Sequence, residues 1–104
     1  MSSIFKALAD PTRRKVLQFL QEGPMGAGDL AARFDVSKPT MSAHFGVLQA
    51  AGLIEPEKLG RSITYRLKMS VLEEALLGFA HTFGLQVSRA PDSPPTAENG
   101  EKKP

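Results

Sequence analysis

The stretch from Asp35 to Gly52 constrains the fold more than any other part of this chain. Ser37 is a favoured helix N-cap. Pro39 falls in the turn that follows, where its missing N–H would have had no partner, and Gly52 suits the left-handed residue just past a helix end. Together they predict a helix over about Lys38 to Ala51. At about 100° per residue, Phe45 and Leu48 fall within about 40° of Met41, so these three should form a buried face against Leu30, Phe34 and Leu53. The opposite side carries Pro39, Ala43, Gly46 and Ala50, with Thr40, Ser42 and Val47 on its flanks. A helix that needed only solubility would carry Glu and Lys there. Small residues let a helix lie deep in the major groove of DNA, and hydroxyls and an early lysine reach phosphates and base edges. The same pattern also fits a helix packed on both sides, which would equally explain Ala43 and Gly46.

The flanking segments supply the rest of a fold. Ser3 can cap a short first helix with Ile4, Phe5 and Leu8 on its apolar face. Asp10-Pro11 starts a second, to about Glu22, and Gly23-Pro24 stops it. A third runs from about Ala27 to Phe34. Beyond Gly52, two strands, Leu53 to Glu57 and Ser62 to Leu67, flank Lys58-Leu59-Gly60-Arg61 and read as a β-hairpin. In the second strand Ile63, Tyr65 and Leu67 alternate with Ser62, Thr64 and Arg66, a half-buried pattern. A fifth helix, about Ser70 to Leu85, carries the stripe Leu72, Leu76, Phe79 and Phe83. The class is mainly α with a small β-hairpin, in the order α-α-α-α-β-β-α. A short helix, a turn, a capped second helix and then a hairpin is the layout of a winged helix-turn-helix.

Length and composition limit what this fold can do. A chain of 104 residues suits one domain, expected over residues 1–87, followed by a Pro-, Ser-, Glu- and Lys-bearing tail over 88–104 that is expected to be disordered. There is no cysteine, which excludes disulfides, zinc-thiolate sites and thiol-based sensing. No signal-peptide or membrane-spanning pattern opens the chain, so the expected compartment is the cytoplasm, without a membrane partner. The formal net charge is only +2, but residues 1–87 carry the excess, with 10 basic against 8 acidic side chains. The basic positions there include Arg13, Arg14, Lys38, Lys58, Arg61, Arg66 and Lys68. Lys58 and Arg61 beside Gly60 could lie along a phosphate backbone or in a minor groove, or form an ordinary solvated turn. His44 and His81 sit on different helices, and no P-loop, nucleophile elbow or paired-carboxylate constellation suggests an enzyme.

Three segments carry a resemblance to a known family: FKALADPTRRKVLQFL from Phe5 to Leu20, AGDLAARFDVSKPTMSAHFGVLQAAGLI from Ala27 to Ile54, and GRSITYRL from Gly60 to Leu67. In combination they resemble the ArsR-type winged helix-turn-helix regulators, and most of all the branch of small SdpR-like autorepressors. The resemblance implies a symmetric dimer that binds an inverted-repeat, double-stranded DNA operator and represses transcription, often of its own operon. It implies that Ser37, Lys38, Thr40, Ser42, Ala43 and His44 lie at the DNA-facing start of the recognition helix. It also implies that Arg61 and its neighbours, Lys58 among them, form the wing.

The departures are equally informative. Many family members bind metal through a cysteine motif in the third helix, where this chain reads Gly26-Ala27-Gly28-Asp29-Leu30. Others place ligands on the last helix, where this chain offers Glu73, Glu74 and His81. No metal and no cofactor are expected. The apolar stripes Ile4, Phe5, Leu8 and Leu72, Leu76, Phe79, Phe83 exceed what so small a core can cover, so a second copy is their expected destination. The other possibility is that the fifth helix folds back to complete the monomer core. Two further readings stay open: a repressor released by a ligand held between the first and last helices, and a winged helix reused for protein contacts.

Overall fold

The computed structural model describes residues 2–86. The elements are α1 (Ser2–Leu8), α2 (Pro11–Gln21), β1 (Met25–Gly26), α3 (Ala27–Ala31), α4 (Lys38–Ala50), β2 (Ile54–Leu59), β3 (Ser62–Leu67) and α5 (Met69–Thr82). The tail expected from Ser88 onward lies outside the described residues.

The helix starts follow local chemistry. The Asp10 carboxylate accepts the Arg13 N–H at 3.0 Å, and Pro11 opens α2. The Ser37 hydroxyl accepts the Thr40 N–H at 3.3 Å and donates to the Thr40 hydroxyl at 2.9 Å, with Pro39 in the first turn of α4. The end of α4 is a Schellman motif. Gly52, at φ +78°, donates to the Gln49 carbonyl at 2.9 Å, and Leu53 donates to the Leu48 carbonyl at 3.0 Å. Leu48 and Leu53, the apolar pair that accompanies this motif, are both fully buried.

Some boundaries differ from the sequence reading. The third helix ends at Ala31 rather than Phe34, because Arg33 and Phe34 donate three residues back, to Leu30 and Ala31, and tighten the chain into a turn. The fifth ends at Thr82 rather than Leu85, since Gly84 and Leu85 donate back to His81 and Ala80. The hairpin connection shrinks to Gly60-Arg61, with Leu59 opposite Ser62. Gly60 sits at φ +61° at the first central position, which a two-residue type II′ turn requires. The two-residue strand β1 was not expected; it adds to β3 antiparallel, pairing Met25 with Tyr65 and Gly26 with Thr64, and gives the sheet order β1-β3-β2.

A single cluster forms the main core. Val16, Leu17 and Leu20 from α2 meet Leu30, Met41, Phe45, Leu48, Leu53, Ile54 and Tyr65. Met41, Phe45 and Leu48 thus form the inner face of α4, with Phe34 partly buried beside them. Ile4, Leu8 and Leu72, expected in a subunit interface, pack partly buried against this core. Burial is favourable wherever it comes first, and these three lie within reach of the chain's own α2–α4 layer. The rest of the α5 stripe stays outside: Leu76 and Phe79 are each 44% exposed and Phe83 64%, while the small Ala75 and Ala80 are buried.

Candidate nucleic-acid interface

Of the two fates open to α4, the described chain takes the exposed one. Ser37, Lys38, Pro39, Thr40, Ser42, Ala43, Gly46 and Ala50 are all exposed, opposite the buried Met41–Phe45–Leu48 face. The exposed surface is therefore shallow, carries hydroxyls and begins with a lysine. Among the described residues Lys38 has no ion-pair partner.

His44 sits apart from the other α4 candidates. Its side chain is only 15% exposed, with Nδ1 3.3 Å from an Arg13 guanidinium nitrogen and Nε2 3.9 Å from the Asp10 carboxylate. Arg13 also donates to the Ala7 carbonyl at 2.8 Å and the Lys6 carbonyl at 2.9 Å. One guanidinium thus joins the end of α1, the start of α2 and the middle of α4. The Asp10 carboxyl is held below the usual aspartate range, first by the hydrogen bond from the Arg13 backbone and then by the charges of His44 and Arg13. No local signal in the sequence marks this linkage, because Arg13 and His44 are 31 positions apart.

The basic side chains sort by partner. Arg13 and Arg14 hold α1 carbonyls, Arg14 reaching Leu8 at 2.7 Å. Lys15 and Arg33 lie over the Phe19 ring, 5.6 and 5.0 Å from its centroid. Arg66 pairs with Glu57 at 3.1 Å and Lys68 with Glu55 at 3.6 Å, across the hairpin. Lys58 and Arg61, at the hairpin tip, are exposed and make no ion pair among the described residues. Leu59 between them is 63% exposed, an apolar tip that the sequence reading did not single out.

Glu74 and His81 are both exposed, and among the described residues no group of three His, Cys, Asp or Glu side chains could hold a metal ion. No helix of the described residues is long and apolar enough to cross a membrane.

The helix α3, a turn, the Ser37-capped α4 and the β2–β3 hairpin make this a winged helix-turn-helix. Residues 8–57 match a family model described as a helix-turn-helix domain. The chain is 43% identical over 76 residues to the transcriptional repressor SdpR of Bacillus subtilis (strain 168), a match covering 73% of this chain and 84% of that protein. It is 37% identical over 76 residues to the biofilm growth-associated repressor of Agrobacterium fabrum, covering 70% and 65%. The crystal structure of an ArsR family transcriptional regulator superposes with a TM-score of 0.74 at 36% identity, covering 85% of this chain and 97% of that one. The chain belongs to the ArsR family of winged helix-turn-helix regulators. It is a DNA-binding regulator of the ArsR repressor type and not an enzyme.

Proposed function

We propose that this protein is a cytoplasmic, homodimeric repressor that binds an inverted-repeat operator, including one at its own gene, and acts without a metal sensor site. The carrying observation is the outer face of α4, exposed, small and hydroxyl-bearing, with the unpaired Lys38 at its start. Such a face fits the major groove, where Ser42, Ala43 and Thr40 can approach base edges. Ser37 and Lys38, at the positive end of the helix dipole, can meet phosphates. Lys58 and Arg61 at the hairpin tip can reach the adjacent backbone or minor groove. His44 is read as holding α4 rather than touching bases, since its side chain is mostly buried and Arg13 takes its Nδ1.

Dimerisation is supported by the uncovered apolar surface of α5. Leu76, Leu77, Phe79, Phe83 and Leu85 are all at least 44% exposed, and Phe5 of α1 joins them through ring contact with Phe79 at 5.1 Å. A surface of this kind marks an interaction site. A two-fold axis through it would present two α4 helices roughly 34–36 Å apart, one turn of DNA. The metal-free reading rests on the absence of cysteine, which leaves no thiolate for a site of the family's kind in α3. Repression would follow from simple exclusion of polymerase.

The test is a mobility-shift titration against the promoter region of the protein's own gene, with scrambled competitor DNA and increasing salt. A discrete, competitor-resistant, salt-sensitive complex of dimer stoichiometry is expected. Binding indifferent to sequence would refute autoregulation, and unchanged affinity in both Lys38→Ala and Arg61→Ala would refute the residue assignment.

A further inference from the structure

Between α3, α4 and β3 the fold leaves a cleft of about 590 Å³. That volume lies within the roughly 300–1,000 Å³ of small-molecule sites. The cleft stays open because α3 and its C-cap Ala32 present only Ala27, Gly28, Ala31 and Ala32 to it, with no side chain long enough to fill the space. Its exposed apolar lining is Val36 and Ile63, with Met41 and Phe45 of α4 almost wholly buried beside them.

Three polar groups line this space. Lys38 is the sole charged residue of the lining, and it has no ion-pair partner among the described residues. Ser42 contributes a hydroxyl. Tyr65, only 8% exposed, stacks on Phe45 at 4.9 Å and brings a phenol with no hydrogen-bond partner among the described residues. The Tyr65 phenol is protonated at neutral pH at its ordinary value, and burial pushes it further up.

We propose that this cleft is an effector site for a small amphipathic organic anion, an aryl or medium-chain carboxylate, whose binding displaces DNA. One unpaired cation and two hydroxyl donors suit a carboxylate head. The exposed Val36 and Ile63 suit an apolar body. A cation would meet Lys38 unfavourably, and a bare phosphate would leave the apolar walls unused. Lys38 and Ser42 also belong to the α4 surface assigned to DNA. A ligand that neutralises Lys38 and fills the space between α4 and the wing therefore competes with a DNA backbone there, and the competition is reciprocal. This last step rests on the proposed DNA-binding reading of α4. No residue of α1 or α5 lines the site.

The experiment uses the full chain, free of DNA, in proton–nitrogen correlation spectra titrated with phenylbutyrate, with phenylbutanol as its neutral counterpart. Saturable shifts at Ala31, Lys38, Ser42 and Ile63 are expected, with the carboxylate bound at least about tenfold more tightly, the equivalent of one charge-assisted hydrogen bond. Lys38→Met, at an exposed position, should abolish that preference while its spectrum stays folded. Ala31→Leu, which fills the cleft, should weaken both compounds. No saturable shifts, equal affinity for the two compounds, or shifts centred on α5 would overturn the site. In a second arm, phenylbutyrate is added to the protein–DNA complex. Release at concentrations that saturate the cleft is expected, and an intact complex under saturation would overturn the effector role. Failure to bind any DNA would fall on the proposed function instead, because the first arm contains none.

Discussion

Replacing Arg13 by alanine should destabilise the fold far more than the same change at Arg14, although the two are neighbours of one residue type. Arg13 donates to the carbonyl of the fully buried Ala7 at 2.8 Å and to that of Lys6 at 2.9 Å, and it lies 3.3 Å from His44 Nδ1. Arg14 makes one exposed bond, to Leu8. A hydrogen bond from a charged donor contributes about 1.5–3 kcal/mol when shielded and less when exposed, and the orphaned Ala7 carbonyl adds a desolvation penalty. The Arg13→Ala loss is therefore about 2–4 kcal/mol, against roughly 0.5–1 kcal/mol for Arg14→Ala. For a domain of this size the first corresponds to a fall in Tm of about 10–25 °C. Thermal unfolding followed by circular dichroism, at fixed protomer concentration, reads the difference. Arg13→Lys should fall between, since an ammonium keeps the charge but not the planar fork that serves two carbonyls and an imidazole together. Equal Tm values for Arg13→Ala and Arg14→Ala would refute the claim that this guanidinium ties α1, α2 and α4 together.

Four further outcomes follow from the same geometry. Lys38→Ala and Arg61→Ala should each weaken operator binding and lower the slope of log affinity against log salt by about 0.9, one phosphate contact apiece, measured by titration at several salt concentrations. Phe79→Glu, placing a charge on the exposed α5 face, should shift the protein toward monomer in sedimentation while leaving its helical signal intact; an unchanged dimer would place the interface elsewhere. Because the folded state depresses the Asp10 pKa, its carboxylate stabilises the fold above the ordinary aspartate range, and that contribution fades as pH falls below about 4. The stability gap between wild type and Asp10→Ala should accordingly narrow in acid, and a gap constant with pH would count against the Arg13 and His44 contacts. Ser37→Ala should cost about 1 kcal/mol in denaturant unfolding through loss of the α4 cap.

The starts of α2 and α4 and the character of their faces were legible in the sequence alone. Asp10-Pro11, Ser37 with Pro39, and Gly52 act through bonds to residues at most a few positions away, so their chemistry is legible without a fold. The same holds for the inner face Met41, Phe45, Leu48, whose spacing is a property of one helix. Tertiary structure decided everything that depends on residues distant in sequence. It paired the two residues of β1 with β3, a strand too short to show an alternation. It turned His44 toward Arg13, and it matched Arg66 and Lys68 with Glu57 and Glu55 while leaving Lys38, Lys58 and Arg61 unpaired. It drew Ile4, Leu8 and Leu72 onto the chain's own core and left Leu76, Phe79 and Phe83 exposed. Periodicity shows that a side chain belongs to an apolar stripe, but which surface that stripe meets is set by how the helices pack, and only the assembled fold holds that information.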